Sequence, residues 1–366
     1  MTSRLPVTGL DTLPANLSAD ASVYVKPLAL SPRSEPVRGG MVAQAEVLVR
    51  GATDVASIVC TWDALKIWSA SLSDAQALAV TRQIGRIVRP CPAIAGLDMD
   101  RCHVMGIVNT TPDSFSDGGK ALAESDAEAQ GRAMVEAGAS LLDVGGESTR
   151  PGAEPVGAAE ELSRVVPAIE RLAALGVPIS IDTRNAQVMA AALDAGAAIV
   201  NDVSALSHDP GAIELVAGRG VPVVLMHALG DPRTMQDAPV YDHVSLDIYD
   251  YLEARIGVCL AAGIERSNIV VDPGIGFGKT LAHNLTLLRD LPLFQSLGCP
   301  MLLGASRKSF IGRLSGQATA DQRLGGSIAA ALAGARAGAR FLRAHDVLET
   351  VQAVRVWQAI EGMERL

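Results

Sequence analysis

Aromatic residues are scarce in these 366 residues: five Phe, four Tyr and three Trp, 3% in all. The core must therefore be filled by Ala, Val, Leu and Ile, which suits close packing of helices on a sheet. The scarcity also counts against a sugar site, which favours aromatic stacking. A basic excess is missing too. The net charge of −9 leaves nothing to neutralise a nucleic-acid backbone, although a local basic pocket for a small anion is compatible with it. The five cysteines (Cys60, Cys91, Cys102, Cys259, Cys299) are odd in number, scattered and without a C-x-x-C pair. That suggests neither a disulfide framework nor a zinc site, and free buried thiols in a reducing cytoplasm are expected. No apolar run approaches the length of a membrane span. The opening MTSRLPVTGLDTLPANL has no uninterrupted apolar stretch of the secretory kind, so no targeting segment and a cytoplasmic location are expected.

What is present is a chain that is 49% hydrophobic, ample for a large core. Residues 1–102 differ in texture from the rest. They hold Pro6, Pro14, Pro27, Pro32 and Pro36, then Gly39-Gly40, and end near Pro90 and Pro92. Ala45–Gly51 suits a strand. Asp74–Val88 has helical spacing, with Leu78, Val80, Ile84 and Val88 as apolar positions. Trp62 and Trp68 are expected to be packing residues. No chemical constellation is found here, and the segment is expected to be an N-terminal extension of unknown role packed on a main domain at 103–366.

From His103 onward one unit recurs: a short β-branched run, a polar loop, then an Ala/Leu-rich helical stretch. The runs are VMGIVN (Val104–Asn109), SLLDVG (Ser140–Gly145), PISIDT (Pro178–Thr183), AIVNDV (Ala198–Val203), PVVLMH (Pro222–His227), NIVVDP (Asn268–Pro273), PMLLGA (Pro300–Ala305) and ARFLRAH (Ala339–His345). Eight such units predict parallel strands closed into a (β/α)8 TIM barrel with an N-terminal extension. An open doubly wound sheet would show fewer units and a Gly-rich turn after its first strand.

The active site of a barrel lies at the C-terminal ends of its strands. Asn109, Asp143, Asp182, Asn201, Met226 with His227, Asp272, Ser306 with Lys308, and Arg343 with His345 fall there. Any one of them could cap the following helix, and for Asp143 that reading weighs as much as a functional one. Asp182, Asn201 and Asp272 each end an apolar run and should converge on one mouth. Buried carboxylates and amides need partners. A 2-amino-4-oxo heterocycle such as a pterin or guanine would supply them. Arg150 within Ser148–Ala153, the stretch Ser306–Gly312, and Arg343 with His345 are anion signals. DPGIGFGKT (Asp272–Thr280) is a near miss for a phosphate-binding loop, because Pro273 stands where that pattern needs Gly. Lys279 is accordingly expected to be a solvated lysine at a helix start.

Together MGIVNTTPDSFSDGG (105–119), DVGGESTRPGA (143–153), DPGIGFGK (272–279) and SRKSFIG (306–312) resemble the dihydropteroate synthases of folate biosynthesis, in the same order, over residues 103–362. The first two motifs are long and specific, the last two supportive. The resemblance implies a transferase that joins 4-aminobenzoate to (7,8-dihydropterin-6-yl)methyl diphosphate, giving 7,8-dihydropteroate and diphosphate. It implies Mg²⁺, with Asn109 as a ligand. It implies substrate contacts from Thr149 and Arg150, and a pterin site of Asp182, Asn201, Asp272 and Lys308, with Met226 at the same mouth. Arg343 and His345 resemble the diphosphate pair, and Pro151, Phe277 and Ser306 border the aminobenzoate site. Lys308, Arg343, His345 and Arg150 are the candidates for catalysis, and Asp113 is a candidate for holding loop one closed. Two departures are Thr110 for the usual Val and Ala228 for the usual Met. A homodimer through barrel helices and competition by sulfonamides are expected, with no nucleic-acid or membrane partner. The alternatives are a pterin-dependent methyltransferase, for which no D-x-H-x-x-G motif is found, and a non-catalytic pterin-binding paralogue.

Overall fold

The computed structural model describes residues 5, 7–14, 16–37, 40–110, 120–147, 156–230, 235–316 and 319–361. Eight strands close into a parallel barrel: β5 (His103–Asn109), β6 (Leu141–Gly145), β7 (Ile179–Asp182), β8 (Ile199–Asp202), β9 (Val223–Met226), β10 (Ile269–Asp272), β11 (Met301–Leu303) and β12 (Ala339–Ala344). Each lies within one of the eight runs or extends it by one residue. Helices fill the crossovers, and α11 (Val347–Ile360) follows the last strand.

The period-two alternation of a strand sorts its side chains to two faces. Outward positions such as Val104, Val108, Leu142, Val144, Ile179, Ile181, Val271 and Leu303 join the large core beneath the helices. Inward positions make a separate layer: Met105, Leu141, Ile199, Val224, Val270, Leu302 and Phe341, one from each of seven strands. Ile94 and Met99, from the segment just before β5, belong to the same cluster, and an Ile94–Leu97 bridge folds that segment back on itself. The barrel is thus filled with side chains at its lower end. Two residues beyond each member of that layer, on the same inward face, stand Ile107 (and then Asn109), Asp143, Asn201, Met226, Asp272, Gly304 and Arg343. On β7 the corresponding pair is Ser180 and Asp182.

The N-terminal segment makes a four-stranded sheet of β1 (Val7–Gly9), β2 (Ser22–Val37), β3 (Gly40–Arg50) and β4 (Val55–Thr61), in the order β1-β4-β3-β2. One face, Val23, Val25, Val47 and Val49, packs with Trp62, Leu65 and Trp68 on and beside α1 (Trp62–Ser69) and with Val80 and Ile87 of α2 (Asp74–Val88). Both tryptophans are buried packing residues. Leu78, expected on the apolar face of α2, is 50% exposed; Gln83 is buried instead. Its amide accepts from Val25 N and donates to Val23 O, both at 2.8 Å, and so pairs β2 through a side chain.

The opposite sheet face, Tyr24, Leu48 and Val55, joins the barrel's own core. Polar contacts frame that seam. On α7 (Val244–Ala261), Asp247, Asp250 and Glu253 lie one helical turn apart, on one stripe. Arg50 pairs with Asp247 and Asp250, Tyr24 donates to Asp250 at 2.9 Å, and Arg86 forms a two-pronged pair with Glu253. Lys26, buried, reaches Glu46 at 3.0 Å and Asp290 at 2.7 Å. Residues 1–102 carry ten Lys/Arg and nine Asp/Glu, against 21 and 31 in 103–366, so the extension is a near-neutral body docked on an acidic one.

Candidate active site

At the upper end of the barrel, inward positions turn from apolar to polar. Asp143 of β6 is fully buried. It accepts from Arg343 Nε at 2.5 Å and from Asn201 Nδ2 at 3.1 and 3.3 Å. Arg343 Nη2 reaches Asp182 Oδ2 at 2.9 Å. Three strands are thus joined through one guanidinium, and a fourth, β8, is tied in by Asn201 on Asp143. Loss of water pushes the Asp182 carboxyl up to about 7; Arg343 opposes this and Asp143 adds to it. Burial works against the charge on Arg343, but Asp143 and Asp182 outweigh it and raise its pKa.

Asp272 and Lys308 make the second group. A Cβ placed on Gly304 would lie 3.9 Å from both Asp272 Oδ2 and Lys308 Nζ, so the two face one space. Asp272 Oδ1 accepts from Gly274 N at 2.7 Å. Lys308 Nζ donates to Ile275 O and sits 4.5 Å from the centroid of the Phe277 ring. Burial raises the Asp272 pKa against the pull of Lys308, and it lowers the Lys308 pKa to about 8 against the pull of Asp272. The loop between them has no room for other residues. At Gly274 (φ +70°), a Cβ would stand 1.9 Å from His227 O.

Ser306, three residues past β11, receives His345 N at 3.2 Å and lies 3.1 Å from His345 Nδ1. Between Ser306 and Lys308, Arg307 is left-handed (φ +57°), held by a two-pronged pair with Asp346 and by Ser327 Oγ on its amide. That turn lets Lys308 face the mouth while Arg307 points away. Asn109 ends β5, half-buried, opposite Gly145 in register. Thr110 donates to Gly145 O through its amide at 2.9 Å and its hydroxyl at 3.1 Å. The hydroxyl has work that the usual Val could not do.

The structure therefore brings Asp182, Asn201, Asp272, Lys308 and Arg343 to one mouth, with Met226, buried, on the same inward face. Ser306, His345, Phe277 and Asn109 stand at its rim. Thr149, Arg150, Pro151 and Asp113 lie outside the described residues. One expectation is corrected. Lys279 is not solvated: it is 3% exposed and bonded on three sides, because the loop folds it inward. Two nitrogens of Arg343 are taken by carboxylates, a second task beside the anion binding expected of it. Of the cysteines, Cys259 and Cys299 are buried and the other three half-buried; no disulfide links them. Asp143 proves to be a hub rather than a helix cap. Its signal in the sequence was its position, two residues past Leu141 on the inward face. Gln236, Tyr241 and Asn284, which fix the glycine loop, carried no signal.

Among the described residues no cluster of three or more His, Cys, Asp or Glu could hold a metal by itself, and no helix is long and apolar enough to cross a membrane.

Comparison with known proteins places this geometry. The family of pterin-binding enzymes matches residues 105–345. The dihydropteroate synthase of Escherichia coli K12 is 48% identical over 264 residues, 72% of this chain and 93% of that one. The Neisseria meningitidis serogroup B enzyme is 48% identical over 270 residues, 72% of this chain and 94% of its own. Among solved structures, Xanthomonas albilineans dihydropteroate synthase with 4-aminobenzoic acid aligns with a TM-score of 0.69 at 51% identity, covering 73% of this chain and 96% of that one. The same enzyme in complex with 7,8-dihydropteroate aligns at 0.67 and 48%, covering 72% and 95%. The family match begins beyond the N-terminal sheet and spans the barrel that carries the site, and the chain belongs to the pterin-binding enzymes, among the dihydropteroate synthases.

Proposed function

We propose that this chain condenses (7,8-dihydropterin-6-yl)methyl diphosphate with 4-aminobenzoate, forming 7,8-dihydropteroate and releasing diphosphate, and that the residues at the barrel mouth divide the work as follows. Asp182, Asn201 and Asp272 read the pterin edge. A carboxylate accepts from the exocyclic amine and ring N–H groups, and the Asn201 amide donates and accepts. Lys308 supplies a donor beside Asp272, and Met226 packs below. The convergence of these groups at one mouth is the observation that carries the proposal.

In the reaction the C–O bond between the methylene and diphosphate breaks, and a C–N bond forms from the amine, which loses a proton. Positive charge on the methylene is delocalised into the dihydropterin ring, so the protein's task is mainly electrostatic. His345, oriented by Ser306, and Arg343 through Nη1 receive the departing anion; Arg150 joins them from loop two. The aniline nitrogen is largely unprotonated at neutral pH, so no strong general base is needed. Phe277, Ser306, Thr149 and Pro151 border the aminobenzoate.

Magnesium belongs to the proposal, with Asn109 as its protein ligand. With no carboxylate cluster at the described rim, the donor set fits an ion carried on the substrate's phosphates with water completing its shell. Bound there, it would neutralise charge on the diphosphate. The chain is further proposed to act as a cytoplasmic homodimer paired through barrel helices; a monomer mass by light scattering would remove that part.

The test is incubation with dihydropterin methyl diphosphate, 4-aminobenzoate and Mg²⁺. Diphosphate release that depends on the amine, and competition by a sulfonamide, are the expected results. Release independent of 4-aminobenzoate would mean hydrolysis and overturn the proposal.

A further inference from the structure

Lys279 is an enclosed amine beside the mouth, 3% exposed, and none of the roles above uses it. An ammonium has three donors and no acceptor. Here three acceptors meet them: His227 Nδ1 at 3.0 Å, Phe277 O at 2.9 Å and His227 O at 3.3 Å. A charged Lys279 requires His227 Nδ1 without a proton; a neutral one accepts from Nδ1–H and still donates to both carbonyls. Burial depresses both pKa values, and the Lys279 charge depresses that of His227 further. His227 is itself fixed, since its amide donates to Asp272 O at 3.0 Å. Lys279 thus ties the Phe277 carbonyl to the end of β9.

The tie is part of a pattern. Four successive carbonyls of the glycine loop are each capped by a different side chain. Ile275 O receives Lys308, Gly276 O receives Gln236 at 2.6 Å, Phe277 O receives Lys279, and Gly278 O receives Tyr241 at 2.8 Å. Gly274, Gly276 and Gly278 all have positive φ, a backbone that needs such fixing to stay in one form.

Two routes could carry an effect of Lys279 to the substrates. One is the direct bond to Phe277 O. The other is its charge, which acts on Asp272 from behind. The first is a contact at 2.9 Å; the second opposes a desolvation already countered by Lys308. We infer that Lys279 is a positioning residue for the amine substrate: it holds the Phe277 backbone and thereby the ring that borders 4-aminobenzoate. The inference rests on the proposed reaction and on Phe277 lining the amine subsite.

Steady-state kinetics on the full chain tests it, each substrate varied at saturating levels of the other. Phe277→Ala first establishes the subsite by raising the KM for 4-aminobenzoate. If it does not, Phe277 is misplaced, and the Lys279 role falls with it. Lys279→Met is then expected to raise that KM about tenfold, the scale of one lost bond from a charged donor, with the KM for the pterin substrate within about twofold. Lys279→Gln, which keeps an N–H donor without the charge, should recover part of the loss; it also serves if the Met variant does not fold. A rise in the pterin KM alone would show that Lys279 acts through Asp272. Equal rises in both would show general loosening. Either result, or no change in either KM, overturns the inference while leaving the reaction intact.

Discussion

Arg343 Nε lies 2.5 Å from Asp143 Oδ2, and the same guanidinium reaches Asp182 at 2.9 Å. One cation from the last strand therefore holds carboxylates from the second and third. It closes the polar end of the barrel as Phe341, two residues earlier, helps fill the apolar end.

That arrangement makes Arg343 a structural residue as well as a candidate for anion binding. Arg343→Ala leaves two enclosed carboxylates without their counterion, a loss of about 3–5 kcal/mol when one partner of a buried pair is removed. Urea denaturation should show a lower midpoint at unchanged slope, and turnover should vanish. Near-native stability would mean that Asp143 and Asp182 are balanced by something other than this ion pair.

Lys308→Ala should separate chemistry from stability. Lys308 is half-buried at the rim and burial lowers its pKa to about 8, so its charged form adds no net stability to the fold. Turnover should fall by about two orders of magnitude or more, with only a small change in the denaturation midpoint. Activity near that of the wild type would remove Lys308 from the site.

The Asp182 carboxyl sets a pH dependence. Its folded pKa, about 7, lies above the ordinary carboxylate value, so the folded protein holds this proton more tightly than the unfolded chain. The stability linked to it is full below about pH 4 and is lost as pH rises through about 7. Binding of a pterin N–H donor needs the carboxylate, so it has the opposite sign. The kcat/KM for the pterin substrate should rise through about pH 7, and Asp182→Asn should abolish that limb. A flat profile from pH 6 to 8 would count against Asp182 as the pterin acceptor.

Asn109→Ala removes the amide at the end of β5 but leaves the Thr110 bonds to Gly145 in place. The Mg²⁺ concentration for half-maximal activity should increase several-fold, with thermal stability little changed. An unaltered magnesium titration would show that Asn109 is not a ligand.

Much of this was legible in the sequence, for a physical reason. A strand alternates faces by local geometry, so an apolar residue and a polar one two places later share a face, and the pair is inward where the apolar member belongs to the barrel's inner layer. Leu141–Asp143, Ile199–Asn201, Val270–Asp272 and Phe341–Arg343 are such pairs, and eight repeats of strand and helix suffice for a barrel. The repeat also located the rim residues Asn109, Ser306, Lys308 and His345. Local pattern could not say which groups meet across the mouth, since Asp143 and Arg343 are 200 residues apart. Only closure of β12 against β5 brings them together, and it gives an expected anion-binding residue a second task in an ion-pair hub. Lys279 shows the same limit. Its sequence neighbourhood suits a solvated helix start, and its burial depends on His227, 52 residues earlier, and on glycines that let the backbone approach. The docking of the N-terminal sheet on Asp247, Asp250 and Glu253 is likewise tertiary, because neither stripe means anything until the other is placed beside it.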